Sequence, residues 1–118
     1  MPEQEQLKQV QKRKPAVLTT IKELNKDMLR VSLVGTVVSR NSEIYSFLLD
    51  DGTGTINVIM NDIERFNEVK EGKILRVFGK VWGEDNEIEI QGDLIQDFSK
   101  IDMNLFKKVF YKQTSSEK

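Results

Sequence analysis

Five segments of the chain have the composition of β-strands, and the order in which they follow one another is the feature that most constrains the fold. They are rich in valine, isoleucine and leucine and cover residues 29–41, 43–50, 55–61, 73–83 and 87–98. Between the third and the fourth segment, Ile63, Phe66 and Val69 recur at three-residue spacing, which predicts a short helix with one apolar edge. The predicted order is therefore three strands, a helix and two strands.

This order is typical of the OB-fold, a five-stranded Greek-key barrel whose helix lies between strands 3 and 4. We therefore predict an all-β fold, with the OB-fold barrel over residues 17–98 followed by a C-terminal helix over residues 99–112. Gly35 lies inside the first predicted strand, where a glycine usually marks a bulge or a sharp bend. The first strand is expected to be long and curved.

The stretch DDGTG, residues 50–54, joins the second and third predicted strands and has three possible interpretations. A phosphate-binding loop would precede a helix, whereas a strand follows here and two aspartates would repel phosphate. A catalytic carboxylate pair would need a neighbouring acid, base or metal-ligand set, and the sequence places none there. A hairpin turn is predicted instead, in which Asp50 and Asp51 accept hydrogen bonds from backbone amides and the glycines supply positive φ.

Composition excludes several classes of function. The 118 residues predict one domain, and they include no cysteine and no histidine. Disulfides, thiol nucleophiles, the common zinc sites and imidazole bases are therefore excluded, and we expect no enzymatic activity, no metal and no cofactor. No apolar run approaches the roughly 18 residues of a membrane span, and the polar amino terminus lacks a signal-peptide core. A cytoplasmic protein is expected.

The ends of the chain differ from the predicted barrel in composition and charge. Residues 1–16 are glutamine-rich and charged, which predicts a flexible arm, and residues 113–118 predict a disordered tail. From Met28 to Ile95 there are seven basic and twelve acidic side chains, a net charge of −5. Nucleic-acid-binding domains are usually basic, so this charge counts against nucleic-acid binding.

Three stretches, VSLVGTVVSR, YSFLLDDGTGTINVIM and EGKILRVFGKVWG, resemble the OB-fold of the replication protein A middle subunit, its archaeal relatives and related telomere-capping proteins. The most specific part is LLDDGTGTINV followed by EGKILRVFGKV. The resemblance implies a non-catalytic module that binds single-stranded DNA, or less readily RNA, in DNA replication, recombination or repair. The alternative is a protein-binding accessory subunit, for example of a single-strand-binding complex or a DNA polymerase, with little nucleic-acid contact.

The usual ligand surface of an OB-fold is formed by strands 2 and 3 with the loops that join strands 1 to 2 and 4 to 5. Tyr45 and Phe47, two residues apart, are predicted to share one strand face and to stack on bases, unless one ring fills the barrel. A register slip of one residue would invert these assignments. The candidate residues on this surface are Arg40, Asn41, Tyr45, Phe47, Asn57, Ile59 and Asn61.

The fourth predicted strand interleaves cations with aromatic rings on one face. Period-two geometry puts Leu75, Val77 and Val81 on one side, and the opposite side carries Arg76, Phe78, Lys80 and Trp82. Such a face suits single-stranded nucleic acid, although the two rings could instead pack under the terminal helix or against the amino-terminal arm, with both cations solvated. The following loop opposes phosphate because it carries Glu84, Asp85, Glu87 and Glu89.

The C-terminal helix is predicted to have one apolar side. An exposed apolar stripe would bind a protein partner, whereas the alternative is that the helix plugs its own barrel. The predicted partner-binding residues are Leu105, Phe106, Val109 and Phe110.

Overall fold

The computed structural model describes residues 16–84 and 86–111, so the predicted arm, apart from Ala16, and the predicted tail lie outside the described residues. The strands are β1 (Val17–Leu18), β2 (Arg30–Asn41), β3 (Ser46–Asp50), β4 (Thr55–Met60), β5 (Ile74–Trp82) and β6 (Glu89–Asp97). A 3-10 turn, Ile21–Glu23, precedes β2. The α-helices are α1 (Ile63–Phe66) and α2 (Met103–Phe110).

Strands β2 to β6 form a closed barrel. β2 pairs with β3, β3 with β4 and β5 with β6 in antiparallel fashion, and β4 pairs with β6 in parallel. The barrel closes where β5 returns to pair antiparallel with β2, and β1 adds a short parallel pair at the edge of β2. The predicted OB-fold, with a helix between the third and fourth barrel strands and another after the fifth, is confirmed.

The core consists of the inward side chains of the five barrel strands, and α1 covers it. Asp62 begins α1 by accepting a hydrogen bond from the backbone N–H of Glu64. Phe66 of α1 and Val69 just after it are fully buried. The barrel strands contribute to this core Val31, Leu33, Val37, Phe47, Leu49, Val58, Leu75, Val77 and Ile90, among others.

Gly35 allows β2 to pair with two strands, β5 and β3. The first half of β2 pairs with β5 and the second half with β3, and the two pairings overlap at Thr36. A Cβ atom on Gly35 would lie 2.6 Å from the carbonyl oxygen of Asp50. The glycine is therefore explained by close approach of two backbones, and the bulge predicted from it lies further on, where the register shifts between Val37 and Ser39.

The DDGTG stretch forms the predicted turn. Asp50 Oδ1 accepts a hydrogen bond from the Gly52 N–H (2.8 Å), and Asp51 Oδ1 accepts one from the Thr53 N–H (2.8 Å). Positive φ occurs at Gly52 (89°) but not at Gly54, which corrects that part of the prediction. In addition, Asp51 Oδ2 accepts a hydrogen bond from the Ile21 N–H (2.8 Å), which fastens the 3-10 turn to the hairpin.

Helix α2 begins later than the predicted residue 99. The side chain of Asp102 caps it by accepting hydrogen bonds from the backbone N–H groups of Asn104 and Leu105. Before that cap, the Ser99 N–H donates to Asp97 Oδ1 (2.8 Å) at the end of β6. The capping aspartate therefore sets the start of the helix.

Asp97 should give the unfolding equilibrium a dependence on acidic pH. The Ser99 N–H and hydroxyl, together with Lys73 Nζ at 3.1 Å, lower the pKa of this carboxyl from 3.8 to about 2. Because the folded-state pKa is depressed, the stabilisation is present above about pH 4 and is lost as the pH falls toward about 2. We expect the difference in urea midpoint between the wild type and Asp97→Asn to shrink over that window. A difference that stays constant with pH would contradict this coupling.

Candidate nucleic-acid interface

A shallow cleft of about 290 Å³ lies on the outer face of β2, β3 and β4, beside the start of β6. Leu48 of β3 and Ile59 of β4 are partly exposed and form its apolar floor, because their neighbours Phe47, Leu49 and Val58 point inward. Polar side chains surround this floor. The lining includes Ser39, Arg40, Asn41, Ile44, Ser46, Asn57 and Glu89.

The prediction that Tyr45 and Phe47 share one face is wrong. Phe47 is 1% exposed and belongs to the core, which agrees with the alternative that one ring fills the barrel. Tyr45 precedes β3 and has a φ of 54°, so the alternation of the strand does not extend to it. The residue is 39% exposed, and its ring meets the Phe66 ring edge-on with 5.6 Å between the centroids. Of the two rings, only Tyr45 is accessible to a ligand.

Arg40 and Asn41 lie at the end of β2 and line the cleft, but both make contacts within the protein. The Arg40 guanidinium lies 4.3 Å above the centroid of the Phe66 ring, and Nη2 donates to the Phe66 carbonyl oxygen (3.3 Å). Asn41 Oδ1 accepts a hydrogen bond from the Glu43 N–H (3.0 Å). Arg40 therefore holds α1 against the barrel as well as bringing a positive charge to the cleft.

Strand β4 brings two of its three predicted residues to the cleft. Asn57 is exposed and Ile59 is partly exposed, and both point outward as the alternation predicts. Asn61 follows the end of β4 and does not line the cleft. Its Nδ2 instead donates to Asp93 Oδ1 (3.4 Å).

The outward face of β5 carries the predicted residues, but only its second half is exposed. Arg76 lies 4.8 Å from the centroid of the Phe78 ring, and its Nη2 donates to Ser32 Oγ (3.3 Å). This half of the face therefore packs against the protein. Lys80 is exposed, and Trp82 is 58% exposed at the end of the strand. Trp82 pairs with Glu89, which borders the cleft.

The acidic loop after β5 contributes one carboxylate to the cleft among its described residues. Glu84 forms an exposed ion pair with Lys26 (3.5 Å), and Glu87 is exposed away from the cleft. Glu89 is partly buried and lines the cleft, whereas Asp85 lies outside the described residues. The sequence placed Glu89 near the groove, but not beside Asn57 and Leu48.

Helix α2 buries the Phe106 ring against its own barrel, whereas three other apolar residues of the helix are exposed. Phe106 is 6% exposed and meets Phe98 edge-on at 5.6 Å. Leu105, Val109 and Phe110 are 59%, 48% and 49% exposed. At the end of the helix, burial raises the pKa of Tyr111 and the charge of Asp51 raises it further, while Arg76 opposes the shift. The four predicted partner-binding residues are therefore divided between the core and the surface.

Two kinds of site do not occur within residues 16–84 and 86–111. This part of the chain contains no group of three or more acidic side chains that could hold a metal ion. It also contains no helix long and apolar enough to cross a membrane.

Similarity to known proteins agrees with this geometry. Residues 31–98 match the family model described as the OB-fold nucleic acid binding domain, whereas no curated protein matches the chain. The hypothetical protein ygiW from E. coli is 31% identical, with 70% of this chain and 90% of that chain covered and a TM-score of 0.55. The second OB-fold domain of replication protein A from Methanococcus maripaludis is 26% identical, with 69% and 94% covered and a TM-score of 0.55.

The telomere capping protein Ten1 from S. pombe is similar in fold, at 16% identity, with 86% of this chain and 99% of that chain covered and a TM-score of 0.64. The resemblance to replication protein A and to telomere-capping OB proteins is thus confirmed. The family match runs from Val31 in β2 to Phe98 just after β6 and so covers the barrel. The chain therefore belongs to the family of OB-fold nucleic acid binding domains.

Proposed function

We propose that this protein is a non-catalytic OB module that binds single-stranded DNA as a component of DNA replication, recombination or repair, in the cytoplasm. The observation that carries the proposal is the cleft on the outer face of β2, β3 and β4. Its apolar floor and polar surround occupy the surface by which OB-folds bind oligonucleotides. Bases would lie on Leu48 and Ile59, with Tyr45 and Trp82 as stacking rings at its borders.

The proposed mode of binding relies on stacking more than on charge. Arg40 supplies a cation at the cleft and Lys80 supplies one beside Trp82, while the region from Met28 to Ile95 is acidic overall. Because each neutralised phosphate adds to the dependence of affinity on salt, few phosphate contacts imply a shallow slope. Measured affinity should therefore fall only modestly as salt is raised.

Trp82 provides the test because it is the single tryptophan of the chain and is well exposed. We expect the fluorescence anisotropy of a labelled thymidine dodecamer to rise on titration with the protein. An unlabelled dodecamer should quench the fluorescence of Trp82. Trp82→Ala should weaken binding by about five- to a hundredfold, since stacking of one base on an aromatic ring is of that size.

The matched control is Ile63→Ala, which truncates another half-exposed apolar side chain that does not line the cleft. This variant should bind as the wild type does. Equal losses in both variants would remove Trp82 from the interface. No anisotropy change at low salt with the wild type would contradict the proposed function itself.

A second candidate function, docking as an accessory subunit of a replication or repair complex, is favoured by one observation. Leu105, Val109 and Phe110 leave about half of their surfaces exposed on one helix. Exposed apolar patches commonly mark protein interfaces. Sedimentation velocity and a pull-down from the source cell would support this candidate if the protein associates but fails to bind oligonucleotides, and if Phe110→Lys abolishes the association.

A further inference from the structure

Two polar side chains stand next to each other in the cleft on neighbouring strands. β4 and β6 run parallel, with Val58 opposite Ile90. The preceding residues, Asn57 and Glu89, therefore occupy adjacent positions, and both line the cleft. Leu48, which pairs with Asn57 across β3 and β4, supplies an apolar surface beside them. An amide and a carboxylate thus converge at the edge of an apolar floor.

These two groups are available for a ligand, in contrast to Arg40 and Asn41 of the same cleft. Arg40 donates to the Phe66 carbonyl oxygen and Asn41 accepts from the Glu43 N–H. Within the part of the chain that the structure describes, the side chains of Asn57 and Glu89 have no hydrogen bond or ion pair with another residue. Their hydrogen-bonding capacity is directed at whatever enters the cleft.

The chemistry of the pair distinguishes among the four bases. A carboxylate has two oxygen atoms that only accept hydrogen bonds, and an amide adds one group that donates. Guanine presents two adjacent donors, N1–H and the N2 amino group, beside the acceptor O6. Adenine and cytosine present one donor next to an acceptor, and thymine presents one donor between two acceptors. Guanine is therefore the base whose pairing edge complements Glu89 together with the amide of Asn57.

We propose that Asn57 and Glu89 form a subsite that selects a guanine base in single-stranded DNA; this rests on the proposed function above. The base lies on the floor formed by Leu48 and Ile59, its N1–H and N2 amino groups donate to Glu89, and O6 accepts from Asn57. The negative charge of Glu89 keeps phosphates out of the cleft, so the strand enters base first. The carboxylate of Glu89 thus repels the phosphates of any strand but binds guanine among the four bases.

The first measurement compares thymidine dodecamers that carry one central guanine, inosine, adenine or cytosine. The guanine strand should bind about five- to a hundredfold more tightly than the all-thymidine strand, the range for a bidentate contact to a base. Inosine lacks the N2 amino group and keeps N1–H, so its affinity should lie between those two. A single guanine also avoids four-stranded structures of the ligand.

The second measurement uses Glu89→Gln and, as its matched control, Glu87→Gln. Each variant removes one negative charge, but Glu87 is exposed and does not line the cleft. Glu89→Gln should bring the ratio of the two affinities, guanine strand over all-thymidine strand, down toward one. Glu87→Gln should keep the full preference. Thermal unfolding of both variants checks that the barrel is intact.

The outcomes separate this inference from the function on which it rests. Oligonucleotide binding with no preference for guanine, or a preference that survives in Glu89→Gln, overturns the guanine subsite and leaves single-strand binding in place. No binding of any dodecamer at low salt overturns both. Loss of the preference in Glu89→Gln but not in Glu87→Gln supports the subsite.

Discussion

Replacing Phe47 by alanine is expected to lower the free energy of unfolding by about 3–5 kcal/mol, the usual cost of truncating a buried phenylalanine. The side chain is 1% exposed, and Phe47 pairs with Val58 inside the barrel. The loss combines the apolar surface no longer buried with the cavity that remains. Urea unfolding of the wild type and Phe47→Ala, followed by circular dichroism, measures it.

Tyr45→Ala is the control that separates stability from binding. Tyr45 lies two residues away, between the cleft-lining residues Ile44 and Ser46, and is 39% exposed. Its truncation should change the unfolding free energy by about 1 kcal/mol, a typical value for a point mutant, because the ring contact with Phe66 is lost, and it should weaken oligonucleotide binding. A Phe47→Ala variant with wild-type stability but no affinity for DNA would show that Phe47 contacts the ligand after all.

The second large effect concerns Gly35. A methyl group at this position would lie 2.6 Å from the carbonyl oxygen of Asp50 and 3.1 Å from Leu49 Cγ. Because the nearer atom belongs to the backbone of β3, a rotamer change cannot relieve the contact and two strands must move apart. Gly35→Ala should therefore cost about 3 kcal/mol, the upper end of the usual range for overpacking. Chemical unfolding is again the measurement.

Gly54→Ala provides the comparison for Gly35→Ala. Here the added Cβ would meet one atom, Ile21 Cγ2, at 3.3 Å, and the backbone does not have positive φ. A side-chain methyl can shift by a few tenths of an ångström, so this variant should unfold near the wild-type midpoint. Equal destabilisation of the two variants would mean that lost glycine flexibility matters more than the close approach of β2 and β3.

The order of the strands could be predicted because each strand has a local pattern of alternating apolar and polar residues. In β5, Leu75 and Val77 are buried while Arg76 and Phe78 face outward, as period-two geometry requires. The DDGTG turn was equally predictable, since the dipeptide Asp-Gly strongly favours hairpin turns. The bulge near Val38 could not be predicted, because Val38 is β-branched like its neighbours and nothing in its residue type marks a break in the strand. The role of Gly35 depends on Asp50, which only the folded barrel brings beside it.

The location of the candidate site followed from the general rule for OB-folds, but its composition did not. The left-handed backbone of Tyr45 interrupts the strand alternation. Because the prediction extended the alternation through Tyr45, it assigned Phe47 to the outer face. Counting back by two from Asp50, at the end of β3, would have placed Leu48 outward and Phe47 inward. The juxtaposition of Asn57 and Glu89 depends on the parallel register of β4 and β6, which no local pattern reveals.

The closing pair of the barrel joins residues far apart in the chain, since Arg30 of β2 lies opposite Lys80 of β5. Closing so long a loop carries an entropic cost before any contact repays it, so folding should be slower than for a helical protein of this size. During synthesis, the first half of β2 leaves the ribosome well before its β5 partner exists. The barrel can close only after β6 has also emerged, because β6 lies between β4 and β5, so the nascent protein must keep the apolar residues of β2 from premature association until then.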